Sequence, residues 1–449
     1  MTRTGVLLLS HRGFSFMEDL IAALEARGLC SFVLSSSPLA PGRAKRLQEL
    51  STKADALFCT ECDALTADDV EAALDELRER GERVVACVSV WEGYRGLMAL
   101  GNEKLGVADL SSSQVNFLRN KLAVRNQLAA AGLSHARAVA LTRDNLDVLK
   151  CEARPYFIKP ICGIASYGAF ALRPDTSWDS IERIAQEARI DEVYRSAFGE
   201  GLAFMAEDYI PGREYSFELL LTSGRVHVLA IHEKCAVTEM AGTVLEDACA
   251  SPPISIDAAA CAEGIEWIDR AFRQLGLKWG CFHVEARQDG ARWDLIEINP
   301  RVGGCLISPS VKALNGEDGI LELWLDLLLA SSARNESTLD AFEARLASLS
   351  FTADGAPPYE HATFFRAYFG RTGKLDYVGV RDVDPAPILS QLFVTVGTEI
   401  TQASREVFLG QLLWRVARRE LEASLPKLMR ISEQAVEVRY TEPNAVRAA

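Results

Sequence analysis

The sequence predicts a multidomain protein that begins as an α/β unit and continues as α+β. Three observations carry this. The chain has 449 residues, more than one ordinary domain holds. Over the first 110 or so, short apolar runs alternate with amphipathic segments of helical period, the pattern of a parallel sheet covered by helices. Beyond about residue 150, apolar runs follow one another across turn residues with fewer helices between them, the pattern of antiparallel strands.

The elements follow in order. "GVLLLS" (5–10) is a buried strand, and "FMEDLIAALEARG" (16–28) is a helix closed by a glycine. Strands at 30–36, 54–60 and 83–90 come next, with a helix over 65–81. No G-x-G-x-x-G follows the first strand, so this is a Rossmann-like shape without the dinucleotide fingerprint. A helix is expected from about 115 to 131, two strands around a small-residue loop over 154–172, and a helix over 179–198. The stretches 202–221, 225–234 and 279–300 are strand-rich, 259–276 is an amphipathic helix, and another helix runs from about 310 to 331. "SSARNEST" (331–338) is polar and marks a boundary. After it come strands at 362–369 and 388–396 and a long helix around 405–423.

Composition narrows the function. Apolar residues are 49% and charged residues 24%, ordinary for a globular protein. The net charge of −14 argues against nucleic acid or an anionic membrane as partner, because both need a basic footprint. The first apolar run is too short for a secretory signal, no window reaches the length of a membrane span, and a cytoplasmic location is expected. The eleven cysteines form no framework, and "CTEC" (Cys59, Cys62) is an isolated pair, so packing is the expected role.

Chemistry gathers in "HVEARQDGARWDLIEINPRVGG" (283–304). Two strands flank a turn at Asp289–Gly290. A strict two-residue turn pairing Gln288 with Ala291 puts Glu285 and Glu297 on opposite faces. A three-residue turn of Asp289, Gly290 and Ala291 puts them diagonally on one face, roughly 7–8 Å apart. Asn299 shares that face. Hard oxygens without thiolate or imidazole select Mg²⁺ or Mn²⁺, and the spacing suits two ions. Arg301 offers a fork for a carboxylate or phosphate. Gly303 and Gly304 leave backbone N–H groups open to an anion. The bland alternative is a surface hairpin with solvated alternate residues. Upstream, Lys159 closes the otherwise apolar "YFIKP", "CGIASYG" (162–168) is a small-residue loop, and Lys121 begins a helix. Cys305 has no histidine placed beside it and is expected to pack.

At this point the chain resembles the ATP-grasp superfamily, and within it the L-amino-acid ligase (carboxylate–amine ligase) branch. Lys121, "YFIKP", Gly163–Gly168, "AEDYIPGREYSFE" (206–218), Lys234 in "IHEK", Glu285 and "EINPRVGG" stand in that family's order and spacing. The resemblance covers about 115 to 330. It implies an N-terminal Rossmann-like domain over 1–112, an ATP-grasp domain over 113–334 with a small lid near 150–206, and an α+β segment over 335–449 completing the body. It implies that Lys121, Lys159 and Ser166 meet the ATP phosphates, with Lys234 in the nucleotide-binding set. The hinge Glu207, Asp208, Tyr209 and Ile210 would face adenine, and Glu214 the ribose. Glu285, Glu297 and Asn299 would hold two Mg²⁺. Arg301 and Lys159, with Gly303 and Gly304, would serve the transferring phosphoryl and acyl groups. His232 and Glu246, from the unassigned stretch 232–254, are candidates for the amino-acid pocket.

The implied activity is an ATP-dependent, ADP-forming carboxylate–amine ligase working through an acyl phosphate. Its partners would be a small carboxylate and a small amine, with no nucleic acid and no membrane. A homodimer is expected by analogy only. The alternatives are a carboxylase-like or nucleotide-biosynthetic relative, and an ATP-binding regulator without turnover.

Overall fold

A computed structural model describes residues 2–14, 16–40, 42–198, 201–240, 243–332, 336–400 and 407–441. The N-terminal part is a parallel sheet of β1 (Thr4–Ser10), β2 (Cys30–Ser35), β3 (Ala56–Cys59) and β4 (Arg83–Val88), in spatial order β3-β2-β1-β4. Val6 to Leu9 are buried without exception, as a strand covered on both faces must be. Between the strands run helices Met17–Glu25, Arg43–Lys53 and Ala67–Glu79. The second of these, polar over most of its length, escapes the periodicity argument.

The expected helix at 115–131 is two helices, Ser112–Arg119 and Lys121–Ala130. Asn120 breaks them, accepting a bond from the Ala123 N–H as the N-cap of the second. A small antiparallel sheet follows, built from β5 (Ala138–Ala140), β6 (Tyr156–Pro160), β7 (Phe170–Ala171) and β8 (Phe204–Asp208), in order β5-β8-β6-β7. It has its own core, in which Ile158, Tyr167, Ile181 and Ala206 are buried together. The sheet recruits Ala138–Ala140, well before the residue near 150 at which the sequence places this subdomain.

The large sheet is antiparallel. Its first strands are β9 (Arg213–Thr222), β10 (Arg225–Met240), β11 (Thr243–Ser251), β12 (Gly280–Asp289) and β13 (Arg292–Asn299). The C-terminal part supplies β14 (His361–Phe369), β15 (Gly373–Val380), β16 (Leu389–Leu392), β17 (Glu399–Ile400), β18 (Phe408–Ala417) and β19 (Val436–Tyr440). Eight of these join in the order β13-β12-β9-β10-β11-β14-β18-β16, while β17, β15 and β19 form a satellite sheet. Within 232–254, the stretch left unassigned in the sequence, β10 runs on to Met240 and β11 covers Thr243–Ser251. The expected helix around 405–423 is corrected: 408–417 is β18, held between β14 and β16. Its run "LGQLLW" is buried at every position, and a strand covered on both faces loses the alternation that marks it in sequence. The helix lies further on, at Leu421–Gln434.

The helix Ile320–Ser332 packs between β4 on one side and β9 and β12 on the other. Leu323, Trp324, Leu327 and Leu328 are buried there, and one apolar core runs from the N-terminal sheet into the large one. Among the described residues, no helix is long and apolar enough to cross a membrane.

Candidate active site

The hairpin β12–β13 corrects the expected register. Its turn is two residues, Gly290–Ala291, one position later than either sequence alternative, with Asp289 paired to Arg292. A regular ladder from that turn would set Glu285 opposite Ile296. Instead the pairing steps from Ala286–Leu295 to Glu285–Glu297, so Ile296 is the extra residue of a β-bulge. The two carboxylates therefore face each other directly, closer than the diagonal arrangement expected. The bulge also turns the Ile296 carbonyl to account: it accepts from Lys159 Nζ at 2.9 Å and from Arg125 Nη2 at 3.4 Å.

Between the small sheet and the large one lies a cleft. Lys121, Lys159, Ser166, Glu207, Tyr209, Ile210, Glu214, Glu246, Glu285 and Glu297 all line it. Lys159, next to last in β6, is buried, with Nζ 2.6 Å from Glu207 Oε1. Burial pushes its pKa down, only partly offset by Glu207. Burial would raise Glu207, but Lys159 and Arg125 outweigh it and hold this carboxyl below its usual range. Lys121 Nζ donates to Gly163 O at 3.1 Å and lies 3.2 Å from Glu297 Oε2. Burial lowers its pKa, while Glu297 and Glu92 raise it to a net upward shift. In the loop above, Ala165 and Ser166 both have positive φ, 54° and 49°, a conformation that costs a non-glycine residue roughly 1–2 kcal/mol.

The floor is a polar face running across four strands. Glu214 on β9 meets Arg287 Nε at 2.9 Å, and Arg287 also donates to Ile210 O at 2.8 Å. Burial first, then the Glu285 charge, raise the Glu214 pKa. Lys234 on β10 bridges Glu246 and Glu285, the latter at 3.2 Å. Burial opposes ionisation of Glu285, yet Lys234 and His283 hold it well below the carboxylate range. His283 stands between two carboxylates, with Nδ1 2.8 Å from Glu218 Oε1 and Nε2 3.3 Å from Glu285 Oε1. Burial lowers its pKa, but Glu218 raises it further, to about 9. Glu218 itself lies at about 2, because His283 and His232 overcome its burial.

The remaining sequence candidates are placed as follows. Asn299 adjoins the cleft through Nδ2, which donates to Glu297 Oε1 at 2.7 Å. Asp208 faces outward from the hinge, accepting from the Arg137 N–H at 3.0 Å and lying 3.3 Å from Arg154. It does not line the cleft, because β8 alternates and Glu207 takes the inner side. His232 is fully buried, 2.9 Å from Ser310 Oγ, so it belongs to the core beneath the sheet and not to an amino-acid pocket. Arg301 has its fork already engaged: Nε and Nη2 lie 3.2 and 3.0 Å from Glu92 Oε2. A Cβ on Gly303 would come within 2.7 Å of His283 Nδ1, whereas one on Gly304 meets nothing within 4 Å.

Sequence reasoning missed Arg125, Arg287, His283, Glu218 and Glu92. Three carried a usable signal. Arg125 stands four residues after Lys121 on one helix face, and His283 and Arg287 flank Glu285 at strand spacing.

Hard oxygens dominate the centre. Glu214, Glu246 and Glu285 each offer an oxygen within 4.8 Å of the others, Glu297 faces Glu285, and Asn299 touches Glu297. This donor set fits a divalent cation such as Mg²⁺ or Mn²⁺. A family model for the ATP-grasp domain matches residues 152–309. The chain carries an ATP-grasp domain. The matched span of the ATP-grasp domain takes in Lys159 and the whole β12–β13 hairpin. Over 268 residues the chain is 27% identical to carnosine synthase 1 of Gallus gallus, a match covering 57% of this chain and 28% of that protein. It is 30% identical over 190 residues to the D-alanine–D-alanine ligase of Acidiphilium cryptum (strain JF-5), covering 41% and 57%. The chain thus spans less than a third of the carnosine synthase it matches. In fold it is similar to the L-amino acid ligase from Bacillus licheniformis, with TM-score 0.72 and 18% identity over 98% of this chain and 100% of that one.

Proposed function

We propose that the protein is an ATP-dependent carboxylate–amine ligase that joins amino acids or amino-acid-like metabolites, with release of ADP and phosphate. The observation that carries this reading is the pairing of Glu285 with Glu297 at the bulge, ringed by Lys121, Lys159 and Lys234, inside an ATP-grasp cleft. The names of the relatives, carnosine synthase, D-alanine–D-alanine ligase and L-amino acid ligase, support the substrate class.

A carboxylate is a poor acyl donor. Its oxygen attacks the γ-phosphorus of ATP, the bond to the bridging oxygen breaks, and an acyl phosphate and ADP result. The amine then attacks the acyl carbon, loses a proton, and expels phosphate to leave an amide. The chain's part is to hold three partners in place and balance their charge. Glu207, with the backbone at Tyr209 and Ile210, would face the adenine, and Glu214 the ribose. Lys121, Lys159, Lys234 and Ser166 would meet the phosphates under the loop at 163–168. Glu285, Glu297 and Asn299 would hold two Mg²⁺ ions. When bound, such ions spread the charge of the transferring phosphoryl group. Arg301 and the backbone at Gly303–Gly304 lie next along the chain, where the acyl group would sit. Closing the loop keeps water from the acyl phosphate.

The test is phosphate release from ATP and Mg²⁺ across a matrix of amino acids and small acids. Release that needs both an acid and an amine supports the ligase. Bicarbonate-dependent release without an amine points to carboxylation, and nucleotide binding without turnover under any pair points to a regulator. Either outcome removes the reading.

A further inference from the structure

The turn that follows Asn299 is gripped by the N-terminal domain, and the grip comes from one short segment. After β4 the chain runs Trp91-Glu92-Gly93-Tyr94-Arg95. Arg95 is fully buried, and its Nε donates to the Pro300 carbonyl at 2.7 Å. Glu92 is 4% exposed, and its Oε2 receives Arg301 Nε at 3.2 Å and Nη2 at 3.0 Å. The third guanidinium nitrogen, Nη1, donates to Val302 O at 2.8 Å. A flexible arginine is thereby fixed at three points, two of them supplied by a single carboxylate from another domain.

The same segment touches the small subdomain. Trp91 lies between two rings: His11 at 4.4 Å, nearly parallel, and Tyr194 at 5.7 Å. The Tyr94 hydroxyl accepts from the Leu65 N–H at 3.1 Å and lies 3.1 Å from His11 Nδ1. His11 Nε2 then donates to the Val193 carbonyl at 2.8 Å. Asp63 pairs with Arg12 and with Arg195, and Arg119 donates to Ala197 O at 2.7 Å. A Cβ on Gly93 would lie 2.6 Å from Trp91 Nε1 and 3.4 Å from Ala197 Cα, so the fit leaves no room at that residue.

The geometry points to Glu92 as the positioning residue of Arg301, and to Trp91 as the contact that makes this positioning depend on docking of residues 193–197. Trp91 and Glu92 are neighbours in a tight turn, the 3₁₀ segment Glu92–Tyr94. Trp91 and Glu92 share a peptide bond, so a shift of the Trp91 backbone moves Glu92 as well. When the small subdomain is docked over the cleft, the arginine is aimed; when it lifts, the arginine is released. This rests on the ligase reading for what Arg301 does, but not for the coupling itself.

Two measurements decide it. The first needs no substrate: amide hydrogen exchange of the full chain in its resting state. Trp91→Ala should speed exchange by at least fivefold at residues 193–197 and also at 302–304. Trp91→Phe, which keeps a ring in the stack, should stay within twofold of the native chain. Glu92→Gln should speed exchange at 302–304 and leave 193–197 unchanged. If Trp91→Ala loosens 193–197 and leaves 302–304 untouched, the coupling is overturned. The second is a double-mutant cycle on turnover. Glu92→Gln should lower kcat at least tenfold with nucleotide affinity changed less than twofold. Combined with Arg301→Lys it should be no slower than Arg301→Lys alone, since both remove one device. Multiplying defects would mean that Glu92 acts independently of Arg301. A native chain that turns over no acid–amine pair would sink the ligase reading, while the exchange result would still judge the coupling.

Discussion

Gly303 looked in the sequence like room for an acyl group. Its immediate neighbour is a side chain: a methyl there would strike His283 Nδ1 and Ile307. Overpacking of this kind costs about 1–3 kcal/mol. Gly303→Ala should lower the thermal midpoint, while Gly304→Ala, which meets nothing, should leave it unchanged. Equal losses would show that His283 is not what excludes a side chain at 303. Glu297 makes a sharper case. It faces Glu285, receives Asn299, and lies beside Lys121. Glu297→Ala should cut amide formation at least a hundredfold with little change in the melt, and a near-native rate would remove Glu297 from the metal set. At this scale the sequence was informative wherever spacing speaks. The order Glu285, Glu297, Asn299 lies on one polar face. Glu92 was invisible, because its partner stands 209 residues away in another domain, and no periodicity records that.

The bulge at Ile296 belongs to the scale of the element. It does two things at once: it brings Glu297 opposite Glu285, and it frees a carbonyl for Lys159. Deleting Ile296 would close the ladder from Ala286–Leu295 directly to Glu285–Glu297. The carboxylate pair would survive, and Lys159 would lose its second anchor. Nucleotide affinity should fall about tenfold, near 1.4 kcal/mol, measured by calorimetry; unchanged affinity would show that the carbonyl is incidental. The hairpin itself was legible from its turn residues, but the place of the bulge at Ile296 was not, because a register is set by a residue count that two neighbouring glycine-containing turns satisfy equally well. Strand β18 failed for another reason. With both faces covered it carries no alternation, and an apolar run of that length next to charged residues reads as an amphipathic helix.

Buried histidines set the pH response of the whole molecule. His11 and His227 are held down to about 4 by burial, with Arg12 and Arg225 adding to it and Val193 opposing at His11. From pH 6.5 down to 4 the unfolded chain binds these protons and the folded one does not, so stability falls as pH drops through that window. His283 has the opposite sign. Its pKa of about 9 stabilises the fold fully below 6.5 and loses that contribution as pH rises to 9. The nucleotide-free protein should therefore be most stable near pH 6.5. Urea midpoints from pH 4.5 to 9 would show a dome, and His227→Gln should flatten its acid side. A monotonic profile would contradict both assignments.

Three cations and five carboxylates line the cleft, with Lys234 and Arg125 just behind them, so the site is about neutral within a chain of net charge −14. Such a site has no long-range pull on a polyphosphate. Its lysines are already married to carboxylates, and an arriving nucleotide must exchange partners at short range. Electrostatic steering normally makes association slow down as salt is added. Here the field of the molecule opposes the encounter, and added salt should hasten it: stopped-flow association of ATP with Mg²⁺ should rise with ionic strength up to about 0.15 M. A steep fall instead would reveal a positive approach path to the cleft.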